Sequence, residues 1–481
     1  MDSTLPALIT LIVYNLALIG VGVWASNRAR SQDAFLLGGR QLGPWVAGLA
    51  YAASSSSAWV LLGFSGFVYI AGPSAIWMVP GILAGYAAVW LWAGDVLQSS
   101  SKQRGHLTLT DFLVEDADHR SRRLIRISAS LMIAFCFSYY VAAQFQGAGQ
   151  AFDGLFGTGL ASGVVLGAFI IVAYTFLGGF LAVSITDTIQ GLLMAIVAVI
   201  LPAAAFLNAG GFEGISVAIE AAPDVYSATF GGRAGWVATG FVVGLFATGF
   251  GALGQPHLIA WIMAAKDRQA RITGAGVAIG WGALVYAGMT VLGLSGRAIF
   301  GADAPAEGIF FQLAADLLPG VLAGVIVAAT LSAIMSTVDS QLLVAGAAIS
   351  HDLGLARIWR GRDVLVSRIA ILLLCIVAVA LTLLLPATIF DRTLFAWTAL
   401  GAAFGPVVVV RTLGHRPSGA FVLASLITGF GASLIFEFGV SAGPGAVWAR
   451  TLPWLAGLTS LLIGRLVQST GSTTSAHRMS Q

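Results

Sequence analysis

The chain has 481 residues, 58% of them hydrophobic and only 9% charged, with a formal net charge of +3. A soluble domain carries about 25% charged residues, so a water-facing globular surface is excluded. Disorder is excluded too, because it needs few apolar residues and many charges. A mean hydropathy of +0.90 points to an all-α polytopic membrane protein.

A helix needs about 20 mostly apolar residues to cross a bilayer. That rule predicts about thirteen transmembrane helices, at 5–25, 42–71, 75–96, 127–150, 160–178, 185–207, 236–263, 273–296, 320–349, 368–387, 394–410, 419–438 and 451–468. The second, seventh and ninth are long for simple spans. Loops are short apart from 97–126, 208–235 and 297–319. The first apolar run has no basic segment ahead of it and reads as a retained span, not a leader. Residues 469–481, rich in Ser and Thr, read as a short disordered cytoplasmic tail, leaving 1–468 as a single transporter-sized membrane domain.

Basic residues orient the spans. With the N-terminus outside and the C-terminus in the cytoplasm, twenty of the 24 Lys and Arg residues fall on the inner side. They include Arg28, Arg30, Arg40, Lys102, Arg104, Arg126, Lys266, Arg271, Arg357, Arg360, Arg362, Arg411 and Arg478. Only Arg233, Arg297, Arg392 and Arg450 stay outside. This is the positive-inside pattern of a multi-pass protein of the cell inner membrane. The basic balance therefore speaks for the lipid bilayer as partner and not for nucleic acid.

Several chemistries find no support. There is no phosphate-binding loop for ATP and no HExxH-type zinc spacing. No nucleophile–base pair stands at one depth, so the chain does not read as an enzyme. Cys136 and Cys375 lie in apolar runs and read as small buried side chains.

Two of the long spans carry helix breakers. The second contains Ala52-Ala53-Ser54-Ser55-Ser56-Ser57-Ala58, and the seventh contains Ala247-Thr248-Gly249-Phe250-Gly251-Ala252-Leu253-Gly254-Gln255-Pro256. Pro256 lacks an N–H and opens the helix near residue 252. Unwound backbone at membrane depth is tolerated only where it is buried or lines a cavity. Two broken helices five spans apart point to an inverted-repeat transporter with a midplane site. The first repeat covers about 42–207 and the second about 236–410, flanked by 5–25, 419–438 and 451–468. Close helix packing is the other use of a serine run.

Of 21 acidic residues, only Asp187 and Asp339 lie well inside apolar segments. A carboxylate there costs several kcal/mol on insertion scales. No Lys or Arg stands at that depth, which leaves a bound cation or a proton as partner. The ninth span adds Ser332, Ser336, Thr337 and Ser340, with Ser336 and Ser340 on one face. These oxygens suit a hard monovalent cation; bonding back to carbonyls one turn earlier is the alternative. His257, beside a helix break, is a candidate gate.

These residues stand in motifs that resemble the sodium:solute symporter family: Leu37-Gly38-Gly39-Arg40, Leu42-Gly43-Pro44, Phe176-Leu177-Gly178-Gly179-Phe180, Thr186-Asp187-Thr188-Ile189-Gln190, Gly254-Gln255-Pro256-His257, Met335-Ser336-Thr337 and Gly401 to Val408. The resemblance runs from about residue 5 to 465. It implies a LeuT-like inverted repeat of five plus five helices and sodium as co-substrate, with no cofactor. It implies sodium ligands from Ala53, Ser56, Ala333, Ser336 and Thr337. Solute contacts would come from Ser57, Tyr140, Thr248 and Ala252, and Arg40 would act in gating or coupling. The implied cargo is a small organic solute, L-proline first. Proton-coupled import of another amino acid or small carboxylate is the alternative, and a transporter-like receptor is the rival class.

The chain also departs from the proline-carrying members. They have aspartate at Ser55, methionine at Ser56, glycine at Ala58, arginine at Trp261 and aromatics at Thr248 and Ala252. They have serine where this chain has Asp339. The expectation is that Asp339, with Asp187 and Ser340, replaces the missing acid in a second cation or proton site.

Overall fold

The computed structural model describes residues 4–26, 32–175, 180–355, 363–440 and 446–479. Arg28, Arg30, Arg357, Arg360, Arg362 and the motif residues Phe176 to Gly179 lie outside them. Among the described residues the only β pairing is one isolated bridge, Leu42 with Ala265. Everything else is helix, turn or coil, as a chain that must satisfy its backbone inside lipid requires.

The first span is α1 (Thr4–Ser26). The second is split into α2 (Pro44–Ala58) and α3 (Ser65–Ala71), joined by a π-helical turn over Trp59–Phe64. The third contains α4 (Met78–Ala87). The fourth lies in α5 (His119–Phe156) and the sixth in α6 (Phe180–Asn208). The seventh is split into α7 (Gly235–Ala247) and α8 (Pro256–Ala264) by a 3-10 segment over Thr248–Gly254. The eighth and ninth are α9 (Arg268–Phe300) and α10 (Gly320–Ala347). The eleventh is α11 (Ile389–Thr412), and the last lies in α12 (Leu452–Met479).

Nine helical stretches among the described residues are long and apolar enough to cross a membrane. One of them, Pro44–Arg104, has 61 residues, about 90 Å if straight, or three times a bilayer core. It must double back, and its contacts along α9 say where. Gly48 meets Gly274 and Val68 meets Gly293; after the reversal Tyr86 meets Gly282 and Gly94 meets Arg271. The reversal is at Gly72, with φ +60°, where a Cβ would come within 2.5 Å of the Tyr226 carbonyl oxygen.

Helix also extends beyond the predicted spans. The loops 97–126, 208–235 and 297–319 hold short helices, Leu109–Leu113, Gly211–Glu220, Asp224–Ser227 and Ile309–Leu317. The first of these has a capping box, Thr108 with Asp111, a local signal of the kind that starts a helix in polar sequence. α5 also begins earlier than its apolar run, because the Asp118 carboxylate accepts from the Arg120 and Ser121 amides. The tail expected to be disordered continues as helix to Met479. Extending a formed helix adds one hydrogen bond per residue with no new nucleus.

Candidate functional site

In the second span the serine run ends the helix at Ser57, whose φ is +48° and ψ −176°. A non-glycine residue with positive φ is strained, and the surroundings hold it there. The Gln144 side-chain oxygen accepts from the Ala58 amide at 3.0 Å, and the Ser57 hydroxyl accepts from the Trp59 amide at 3.1 Å. In the seventh span the chain turns extended at Gln255. Trp397 of α11 donates its indole N–H to the Thr248 carbonyl at 2.7 Å, and Gln255 donates to the Trp397 carbonyl at 2.9 Å. Glycine lets this segment sit backbone against backbone: a Cβ on Gly249 would lie 1.8 Å from the Gly81 carbonyl oxygen.

The ninth span meets the second just before the break. The Thr337 hydroxyl is 3.0 Å from the Ser54 carbonyl oxygen and 3.1 Å from that of Ala333. The Ser54 and Ser340 hydroxyls are 2.5 Å apart. Ser336 donates back to Ala333, and Ser340 donates to the Ser336 and Thr337 carbonyls. Back-bonding and metal chemistry are therefore not exclusive, since a hydroxyl that donates its proton keeps lone pairs to offer. Ala53, Ser56, Ala333, Ser336 and Thr337 are all fully buried. The five residues lie in two segments that touch at this point.

A second polar locus lies one turn on. Asp187 of α6 is fully buried, with neither carboxylate oxygen hydrogen-bonded among the described residues. Asp339 is also fully buried and lies near it. The phenol of Tyr14 in α1 bonds the Ser332 hydroxyl and sits within the field of both acids. Tyr14 was missed by sequence reasoning, because a tyrosine in an apolar run reads as an interface anchor.

Above the break lies a cavity with about 320 Å³ of free space, lined by Ser55, Trp59, Tyr86, Tyr140, Thr248, Tyr286, Thr393 and Trp397, with Ile82 and Leu394. No charged side chain lines it. Tyr140 and Thr248 are among its lining residues, and Ser57 reaches the Tyr140 phenol. Ser57 and Ala252 are fully buried but are not in the lining. Tyr86, Tyr286 and Trp397 are among the additions. Trp59 stacks on Phe390, and Phe390 on Phe67, with ring centres 6.0 and 4.7 Å apart.

A separate vestibule of about 520 Å³ runs past Ser340 and His257 to Thr108 and Asp352. His257 is fully buried with both ring nitrogens unpartnered. Arg40 lies in neither cavity. It donates to Asp33 at 2.9 Å and to the His106 carbonyl at 2.9 Å, and it bonds the Ser101 hydroxyl. Arg271 pairs with Asp95 at 2.7 Å, Arg126 with Asp111 at 2.6 Å, and Arg411 with Glu115 at 3.5 Å. These arginines, all expected inside, converge on the segment 95–116.

Comparison with known proteins follows the same outline. The model of the sodium:solute symporter family matches residues 35–429. The chain is 33% identical over 443 residues to the sodium/proline symporter of Escherichia coli (strain K12), covering 89% of this chain and 87% of that one. It is 30% identical over 442 residues to the osmoregulated proline transporter OpuE of Bacillus subtilis (strain 168), covering 90% and 89%. Among solved structures, a Na+-coupled sialic acid symporter in a substrate-bound outward-open state superposes with a TM-score of 0.80 at 18% identity, over 95% of this chain and 97% of that one. Mhp1, a nucleobase-cation-symport-1 family transporter, gives 0.57 at 13% identity, over 91% and 95%.

Proposed function

The chain belongs to the sodium:solute symporter family and is a membrane-embedded, sodium-coupled solute symporter of LeuT-like fold; from that premise we propose that it imports a small zwitterion, L-proline first, by alternating access. The observation that carries the reading is the contact of Thr337 with the Ser54 carbonyl, at the edge of the helix break. A sodium ion held by the backbone of Ala53, Ser56 and Ala333 and the hydroxyls of Ser336 and Thr337 pins the broken second span to the ninth. The pinned break then presents two half-helix ends to the solute. The N-terminal end of a half-helix attracts a carboxylate and the C-terminal end attracts a cation. An uncharged aromatic cavity suits a solute whose own charges cancel.

Coupling follows from differential affinity. Sodium shifts the outward–inward equilibrium only by as much as it binds one state better than the other. The solute reports the same coupling energy to sodium. Asp187, Asp339 and Ser340 form a second site, for sodium or a proton, in place of the carboxylate absent at Ser55. The thirteen-span topology, with the N-terminus outside and the C-terminus inside, is supported by the convergence of the inner arginines. So is the division into repeats at about 42–207 and 236–410, by a break in each half.

The test is uptake of labelled L-proline and a panel of zwitterions and carboxylates into proteoliposomes under an inward sodium gradient. Sodium-driven accumulation of proline is expected. Accumulation without sodium, driven by an acid-outside pH step, would assign the coupling to protons at Asp187 and Asp339. Sodium-driven accumulation of a carboxylate alone would overturn the zwitterion assignment.

A further inference from the structure

The broken segment of the seventh span has two sides. Thr248 faces the solute cavity. Ala247, Phe250 and Leu253 face outward, onto a cleft with about 1360 Å³ of free space between the third, seventh, eleventh and last spans. The cleft is several times larger than the solute cavity and nearly all apolar. Trp236 and Trp448 stand together at one end of it, with 4.5 Å between ring centres, and Trp454 and Trp92 line it farther along. Trp236 is 72% exposed and Leu455 54% exposed. Trp236 belongs to a membrane-candidate stretch, 235–254, and Leu455 to a shorter apolar helix, 452–467, so the phase that reaches the cleft is lipid. Tryptophan at the end of a span marks headgroup depth.

One charged side chain lines this cleft, Arg450. It has no salt bridge and no hydrogen bond among the described residues. Arg271, Arg126 and Arg411 each have a carboxylate within 3.5 Å. The charged groups that act on Arg450 are Asp391 and Glu437, and they do so only through space. A guanidinium with free donors at headgroup depth is built for the paired oxygens of a phosphate. The apolar trough below it is shaped for an acyl chain.

We propose that this cleft binds an anionic glycerophospholipid, its phosphate on Arg450 and one acyl chain laid along the outer side of Ala247, Phe250 and Leu253. The leaflet is the outer one in the topology given above; the binding itself does not depend on which solute is carried. An anionic headgroup is selected over a zwitterionic one because phosphatidylcholine offsets its phosphate with its own ammonium. A soluble anion is not the occupant, because it has no chain to fill the apolar trough.

The full-length protein, delipidated in detergent, is titrated with equal amounts of phosphatidylglycerol and phosphatidylcholine of the same acyl chains, and bound lipid is counted by native mass spectrometry. The wild type is expected to retain phosphatidylglycerol about fivefold over phosphatidylcholine, the ratio that one interfacial arginine supplies. Arg450→Gln is expected to bring the ratio to about one, while Arg450→Lys keeps a preference. Val243→Trp, which fills the trough, is expected to lower retention of both lipids. Folding is followed through the sodium-dependent melting temperature of each variant. An Arg450→Gln protein with an unchanged ratio would overturn the proposal. So would a Val243→Trp protein that keeps both lipids. A dimer that Val243→Trp dissociates with no loss of lipid would give the cleft to a second copy instead.

Discussion

Asp187→Asn separates a bound cation from a merely tolerated buried acid. In the wild type the Asp187 carboxylate is fully buried with both oxygens free of hydrogen bonds among the described residues. A carboxylate at membrane depth costs about 2.5–3.5 kcal/mol on insertion scales, and a cation held there offsets that cost. Each site filled at a hundred times its Kd stabilises the folded state by about 2.7 kcal/mol. With sodium at both loci, the amide variant should lose about half of the sodium-dependent stabilisation, keeping the part due to the Ser336–Thr337 locus. Without sodium it should be no less stable than the wild type, because the uncompensated charge is gone. The assay is thermal unfolding in detergent, with choline replacing sodium at constant ionic strength. A variant that keeps the full sodium increment, or that is destabilised in choline, would refute the reasoning.

Two further outcomes are expected. Gly249→Ala places a methyl 1.8 Å from the Gly81 carbonyl oxygen; rigid backbone on both sides makes this overpacking cost about 3 kcal/mol or more, seen as loss of the monodisperse peak on size exclusion. In the short helix Leu109–Leu113, burial by itself raises the Asp111 carboxyl, but the His351 hydrogen bond, the Leu107 amide and the Arg126 guanidinium outweigh it and hold Asp111 below the usual carboxylate range. A group depressed in the folded state stabilises above its unfolded pKa and loses that contribution as pH falls through the folded value. The melting temperature should therefore fall on acidification below about pH 4, and Asp111→Asn should flatten that acid limb. An unchanged limb would remove Asp111 from the account.

Much of this architecture was written in short-range pattern. The serine run and the Gly/Pro run marked the two broken spans, and Asp187 and Asp339 stood out because acids are rare in apolar segments. Which serine breaks the helix was not legible. Ser57 is selected by Gln144, 87 positions along the chain, and its partner residue lies on a different span. The amide at 144 was the available signal, since a polar side chain in lipid needs a partner. Tyr86, Tyr286 and Trp397 were hidden for a different reason. An aromatic that walls a cavity looks the same in sequence as one that packs or anchors. Tyr14 joins the acid pair only through folding that brings α1 against α10, since it stands 318 positions from Ser332 in the chain. The short helices in the loops 97–126, 208–235 and 297–319 fell below a search tuned to membrane length.

The central claim is that one alkali ion is gripped between residues 53–56 and 333–337. The most direct measurement is the sodium concentration for half-maximal solute uptake in Thr337→Val and Thr337→Ser proteoliposomes. Removing the oxygen while keeping the shape should raise that concentration about tenfold or more, with the maximal rate recovered at high sodium, and Thr337→Ser should stay close to the wild type. A Thr337→Val protein that transports with the wild-type sodium dependence would contradict the claim.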